Sequence, residues 1–255
     1  MTGLPAPFRW DGPLLAVALD GAQARFTGRP GGVSTGPFAS LDLARYAPER
    51  AADVARNLAA LGALTGFPPD RWAQSHQVHG TVVHHTAAGD EPGDPQQEGD
   101  GQVVTSATVA GVVLTADCLP VVVSGLGGVA VLHAGWRGLA DGVLEAGVRV
   151  LRRHGVGGTL QAAIGPGAGG CCYEVGPDVR DAFAADGVLQ RTGPGTIDLK
   201  AIAARRLAAA GVATIHDCEL CTMCTTDAAT GDRRFFSHRA DGGVTGRQAA
   251  IAWRS

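Results

Sequence analysis

The sequence predicts an α+β fold, a single domain over residues 1–255 in which mixed β-sheets are covered by helices. Three observations lead there. Helix-period and strand-like segments alternate along the chain, with no fixed-period repeat and no linker long enough to part domains. The strand-like runs are short, Val-rich and apolar on both faces, so both faces need cover. The chain has 255 residues, of which 45% are hydrophobic, enough for a substantial core.

Taken in order, the first strand run is residues 14–19. A helix follows where Val54, Leu58 and Leu61 recur at helical spacing behind Glu49 and Asp53. Residues 81–85, 111–115, 119–124 and 129–133 read as strands. The stretch from Val112 to Ala134 is long enough to span a bilayer, but Asp117, Pro120 and the glycines at 125–128 divide it into buried strands. A second helix carries Leu139, Val143, Ala146, Val150 and Leu151. Arg152, Arg153 and His154 form its last turn and Gly155 stops it. After a strand at 160–164, Pro177 and Asp178 open a third helix with Val179 and Phe183. Asp198 caps a fourth, with Leu199, Ile202 and Leu207 inward and Gly211 closing it. Strands at 213–217 and 248–253 complete the series. The segment 87–101, rich in Gly and Pro and carrying Asp90, Glu91, Asp94, Glu98 and Asp100, does not have the ligand spacing of a calcium loop and reads as a solvated surface loop.

Composition excludes several classes of function. A formal net charge of -3 with ordinary apolar content argues against disorder and against a nucleic-acid partner held by bulk charge. Lys200 is the only lysine, so a Schiff-base mechanism would have to use it. No basic segment followed by a long apolar one opens the chain, so the expected setting is the cytoplasm, with no membrane partner. In that reducing compartment the six cysteines point to metal, catalysis or packing before disulfides.

Two glycine-rich turns follow strands, Ile164–Gly170 and Gly135-Trp136-Arg137-Gly138. The first lacks the spacing of a phosphate-binding or dinucleotide loop. The second sets backbone N–H groups and Arg137 at a helix start. The histidines and cysteines say more. His79, Cys118 and His133 each fall at a strand terminus flanked by Gly or Pro, where a rigid backbone meets solvent. Two imidazoles and a thiolate make a three-ligand zinc site with an open fourth position, though spacings of 39 and 15 residues leave their convergence to the fold. Cys218, Cys221 and Cys224 form a rival cluster. It reads as structural zinc with a fourth ligand such as Cys172 or His238, as a redox pair, or as buried small hydrophobes. Arg29 and Arg247, in Gly- and Thr-rich segments, are guanidinium groups suited to phosphate or carboxylate.

Together these segments resemble the YfiH/laccase-domain family, whose members have been described as multicopper polyphenol oxidases and as purine nucleoside phosphorylases with adenosine deaminase activity. The resemblance runs from Thr27 to Arg254. It is carried by Arg-x-Gly-Gly-Val-Ser-x-Gly-Pro-Phe from Arg29 to Phe38, Gln-Val-His-Gly at 77–80, Thr-Ala-Asp-Cys-Leu-Pro at 115–120 and His-Ala-Gly-Trp-Arg-Gly at 133–138. Cys-Tyr-Glu-Val-Gly at 172–176, Cys-Thr-x-Cys at 221–224, Phe-Phe-Ser-His-Arg at 235–239 and Thr-Gly-Arg at 245–247 continue it in order. Three departures stand out. Asp42 replaces an Asn, residues 44–48 replace a Gly-x-His-Val-Gly-Asp stretch, and His238 stands where Tyr is common.

The resemblance implies one zinc ion held by His79, Cys118 and His133, which would then also be the catalytic residues. It implies a fold like that of CNF-type (cytotoxic necrotizing factor) cysteine hydrolases. The substrates implied are a purine nucleoside and phosphate, including adenosine for deamination at C6 and possible methylthioadenosine phosphorolysis, in a monomer or homodimer. Phosphate would fall to Arg29 first and Arg137 second. Asp117 is a proton shuttle or, more in keeping with its neighbours, a hydrogen-bonding brace. Two rivals stand beside this. One is a cysteine hydrolase or amidase using Cys118 as nucleophile and His133 as base, acting on a substrate such as a peptidoglycan precursor. The other, weaker one is a copper oxidase, because the eight histidines include no His-x-His pair.

Overall fold

The computed structural model describes residues 3–45, 50–186, 195–228 and 230–255. Glu49, expected to precede the first helix, and Tyr46, Ala47 and Pro48 of the departing segment lie outside the described residues.

Two mixed six-stranded sheets lie back to back. The first has the order β1-β2-β3-β12-β7-β4, with β1 (Arg9–Asp11), β2 (Leu14–Leu19), β3 (Ala22–Phe26), β4 (Trp72–Ala73), β7 (Ala110–Thr115) and β12 (Gln248–Arg254). The second has the order β11-β10-β8-β9-β6-β5, with β5 (Val83–Thr86), β6 (Gly101–Val104), β8 (Leu119–Leu126), β9 (Gly128–Ala134), β10 (Gly157–Ile164) and β11 (Val212–Asp217). Pairs β4–β7, β5–β6 and β10–β11 are parallel, and the other pairings are antiparallel.

The double-sided apolar pattern now has its reason. Successive strand residues point to opposite faces, so in β8 Val122 enters the core between the sheets while Val121 and Val123 face the helices. In β9, Val129 and Val131 point inward and Ala130 and Leu132 outward. The inner core also takes Leu15, Val17, Phe26, Val113 and Ala250 from the first sheet. Helix α1 (Ala51–Thr65) covers the outer face of that sheet with Val54, Leu58 and Leu61 against Val112, Leu114 and Ile251. Helices α2 (Trp136–Asp141), α3 (Val143–Arg153) and α5 (Leu199–Ala209) cover the outer face of the second sheet through Leu139, Leu144, Leu151, Ile202 and Leu207. The short α4 (Pro177–Ala182) adds Val179, and Phe183 follows it into the same core. The result is four layers, helix–sheet–sheet–helix, where the sequence suggested only sheets under helices.

Local chemistry explains where expectation and structure part. The second expected helix is two, because Gly142 at φ +94° ends α2 and starts α3. Asp198 caps α5 by accepting from Ala201 N at 3.0 Å, as read from sequence. Strands β1, β3, β4 and β6 gave no apolar run to find. β3 alternates small and polar residues, and β6 begins inside the segment read as a surface loop. No described helix is long and apolar enough to cross a membrane.

Gly147 shows how closely α3 rides on β9. A Cβ there would lie 2.5 Å from Leu132 Cδ1, 2.7 Å from its Cδ2 and 3.1 Å from its Cγ, and Leu132 is fully buried. Alanine is the better helix former by roughly 1 kcal/mol. Overpacking here outweighs that gain, so Gly147→Ala should lower unfolding stability by about 1–3 kcal/mol in urea titration; a stabilised variant would contradict the packing.

Candidate active site

The site is built where β9 ends and α2 begins. His133 closes β9, Gly135 is the N-cap of α2, and Cys118 lies in the turn joining β7 to β8. His79 comes from the loop ahead of β5. The ligand-capable atoms of His79, Cys118 and His133 all lie within 4.8 Å of one another, with His79 exposed, Cys118 half-buried and His133 buried. The two imidazole rings meet edge-on at 4.9 Å. The strand termini flagged in the sequence therefore converge.

One carboxylate assembles them, and the sequence reading passed over it. Asp100 is fully buried, not part of a solvated loop. Its Oδ1 accepts from His79 N at 2.9 Å and from His133 Nδ1 at 2.7 Å, while Oδ2 accepts from Val78 N at 3.2 Å and Gly80 N at 2.7 Å. Its backbone carbonyl also accepts from His133 N at 2.8 Å. Three successive N–H groups around one carboxylate form the concave arrangement that binds anions, and they hold His79 at φ +62°, a region costly for a non-glycine residue. With Nδ1 engaged, His133 has its other ring nitrogen left to face Cys118 and His79. Burial raises the Asp100 pKa, but these hydrogen bonds outweigh it and the carboxyl stays below its ordinary range.

Two glycines admit this crowding. A Cβ on Gly135 would sit 2.6 Å from His79 Cδ2 and 3.1 Å from Cys118 Sγ, and one on Gly138 would sit 2.7 Å from Gly80 O. The charges inside are strongly coupled. Burial pushes the Cys118 thiol up, but the charge and hydrogen bonds of His133 and His79 bring it down to about 6. Burial pushes His133 down, but Cys118 and Asp100 raise it to about 9. The pair therefore rests as thiolate and imidazolium near neutral pH, a state suited to nucleophilic attack or, after loss of the imidazolium proton, to metal binding.

The cluster opens into a cavity of about 430 Å³ lined also by Thr115, Asp117, Tyr173, His238, Arg239 and Arg247. Asp117, at φ +91°, accepts from Thr222 Oγ1 at 2.6 Å and Arg239 N at 2.7 Å, so it braces two loops around the cavity. Arg239 stacks over Tyr173, and Asp42 Oδ1 accepts from Arg247 N at 2.9 Å, fixing that arginine's backbone. Thr115 Oγ1 is buried with no hydrogen-bond partner among the described residues. Arg29 lies outside this lining. Its guanidinium donates to Ala39 O at 2.9 Å, pairs with Asp241 at 3.6 Å and stacks over Phe236. Arg137 is exposed, stacked on Trp136, and is not among the lining residues. The 164–170 turn is shaped by contact. Gly165 abuts Phe26 and Gly167 abuts Leu119. Lys200 is buried, with Nζ 2.8 Å from Asp217 and 3.7 Å from Cys218 Sγ.

A four-layer α+β chain with a His–Cys–His cluster and a carboxylate bracing one imidazole defines a class of proteins equipped to bind a metal ion. Residues 23–255 match the family described as multi-copper polyphenol oxidoreductase laccase, and the chain belongs to that family. It is 36% identical to the purine nucleoside phosphorylase YlmD of Geobacillus stearothermophilus, covering 94% of this chain and 92% of that one. With a purine nucleoside phosphorylase of Deinococcus radiodurans it shares 37% identity over 94% of this chain and 92% of that one. The crystal structure of Geobacillus stearothermophilus YlmD superposes with a TM-score of 0.86 at 33% identity, covering 98% of this chain and 99% of that one.

The charge coupling can be read directly. In chelator-treated protein, alkylation of Cys118 by iodoacetamide should rise with thiolate fraction and be half-maximal near pH 6. His133→Ala removes the neighbouring cation, so the midpoint should move up toward that of an ordinary thiol, about 8.5. Peptide mass mapping across a pH series measures both, and an unmoved midpoint would contradict the coupling.

Proposed function

We propose that this chain is a zinc-dependent purine nucleoside phosphorylase with adenosine deaminase activity, acting as one cytoplasmic domain over residues 1–255, as a monomer or homodimer. The observation that carries the reading is the convergence of His79, Cys118 and His133 at the mouth of a cavity sized for a small ligand. Relatives matched over more than nine-tenths of both chains bear the phosphorylase name.

The donor set fits zinc. Three N/S ligands with an open side is the catalytic pattern, and a carboxylate on the far nitrogen of a ligating histidine is its usual support. Copper fits less well, since the chain has no His-x-His pair. Zinc bound there supplies a Lewis acid that lowers the pKa of water from about 15.7 to about 7. The chain's own groups do the rest. Asp100 holds His133 in one tautomer and orientation and fixes the His79 loop. Arg239 and Arg247 line the cavity, whereas Arg29 and Arg137 do not, so the first two are better placed for phosphate. Their positive charge suits the negative charge of phosphate as it attacks C1′. Tyr173 offers an aromatic face to the nucleoside. Methylthioadenosine phosphorolysis belongs to the same reading.

A second reading is favoured by one observation, the approach of His133 to Cys118, which together with His79 draws the thiol down to about 6. It is a cysteine hydrolase or amidase with Cys118 as nucleophile, which goes with the implied CNF-type likeness. Zinc bound through Cys118 and free nucleophilic Cys118 are mutually exclusive, so metal content with assay separates them.

His79→Ala should remove the zinc equivalent bound at this cluster and abolish turnover of adenosine and inosine, assayed by separating free bases from deaminated nucleosides with and without phosphate. Full activity after that change would refute the zinc reading. Asp100→Asn keeps the shape but loses the charge that holds His133, so zinc affinity or activity should fall about 10–100-fold, measured by chelator competition. An unchanged affinity would leave Asp100 a purely structural residue.

A further inference from the structure

The cysteines outside the cavity form a second constellation, which keeps Cys221, Cys224 and Cys172 of the one the sequence suggested and exchanges Cys218 for Cys171. Cys218 turns away from Cys221 and Cys224 and is buried beside Lys200. In its place stands Cys171, adjacent to Cys172 in the turn after β10. The sulfurs of Cys171, Cys172, Cys221 and Cys224 all lie within 4.8 Å of one another, and Cys171 Sγ is 3.6 Å from Cys224 Sγ. A tetrahedron with zinc–sulfur bonds of about 2.3 Å has sulfur–sulfur edges of about 3.8 Å. Four thiols gathered at that spacing outnumber the two a disulfide needs.

The backbone supports the same reading. Gly169 N donates to Cys221 Sγ at 3.2 Å, the kind of N–H to sulfur contact that favours a thiolate. Gly169 permits the approach, because a Cβ there would lie 3.1 Å from Cys221 Cβ and 3.2 Å from Cys171 Sγ. The two cysteine-bearing turns are joined by a bridge between Gly167 and Cys221 and by Thr222 N donating to Gly167 O at 3.0 Å. Lys200, the only lysine, is held by Asp217 at 2.8 Å in the hollow beside Cys171 and Cys221 and is not one of the donors.

We propose that Cys171, Cys172, Cys221 and Cys224 form a closed, structural four-thiolate site for a zinc ion, separate from the His79–Cys118–His133 cluster. All-sulfur tetrahedral donors select zinc or iron among common metals, and a site with no open position does not do chemistry on substrate. It fastens the wall of the cavity. Thr222, between two of the ligands, donates to Asp117 next to Cys118, and Tyr173, directly after Cys172, lines the cavity.

The test is metal stoichiometry on protein purified under reducing conditions without added metal, read by elemental analysis. Native protein should hold about two zinc equivalents. Cys224→Ser and the milder Cys171→Ser should each lose one equivalent and keep the one that His79→Ala removes. Cobalt loaded into native protein should show the intense thiolate charge-transfer bands of a tetrahedral four-sulfur site, and these should survive His79→Ala. That spectrum is read on native protein and so does not depend on the cysteine variants folding. A chain holding one zinc that His79→Ala abolishes and Cys224→Ser leaves intact would overturn the proposal, as would iron in place of zinc or a mass two hydrogens short across Cys171 and Cys224. If His79→Ala loses nothing while Cys224→Ser loses one equivalent, the four-thiolate site stands and the zinc reading of the cavity falls.

Discussion

The buried carboxylate of Asp100 is the constraint on which the site depends. An ionised carboxylate without solvent is costly unless its lone pairs are filled, and here four N–H donors fill them. Three come from consecutive backbone amides and one from an imidazole. Satisfying that one group forces the rest. The 78–80 loop must curl into a left-handed turn at His79, His133 must present its remaining nitrogen outward, and Gly135 and Gly138 must lack side chains so that loop and helix can meet. The second sheet makes this possible by carrying Asp100 and His133 to one end of adjacent strands, with Gly101 paired against Leu132 in the β6–β9 ladder.

Asp117 serves a parallel role on the other side of the cavity. Its carboxylate ties Thr222 and Arg239 to the turn that bears Cys118, and its carbonyl accepts from Ala168 N at 2.8 Å. The turn between β7 and β8, the 164–170 turn and the 221–224 turn are thus one hydrogen-bonded unit. Backbone chemistry at the cavity and the sulfur cluster at its back are coupled through it. The cavity then sits between a wall fixed by Asp100 and a wall fixed by Asp117, which suits a site whose groups must be preorganised.

Most of the elements were readable because periodicity survives burial. Helix α1 and the central strands β7, β8 and β9 follow the apolar pattern closely. β1 and β4 escaped because they are only three and two residues long, β3 because it alternates small and polar residues, and β6 because it begins in an acidic, Gly- and Pro-rich segment, whereas the edge strands β5 and β11 were legible. His79, Cys118 and His133 stood out as polar groups at strand ends. Asp100 did not, since among five acidic residues of one loop nothing local distinguishes the buried one. Cys171 was missed for a similar reason. A Cys-x-x-Cys run draws attention to its neighbour Cys218, whereas the actual companions come from a turn some fifty residues away, as the 52-residue separation of Gly169 and Cys221 shows.

By itself the sequence determined the alternation of helices and strands, the double-sided apolar strands that need cover on both faces, and the residue types able to hold a metal. These follow from local periodicity and side-chain chemistry. The tertiary structure alone decided which sheet each strand joins, which carboxylate is buried, which arginines line the cavity and which cysteines meet. Those outcomes depend on contacts between segments far apart in the chain, as where Arg29 meets Asp241 and Phe236 and Cys218 meets Lys200.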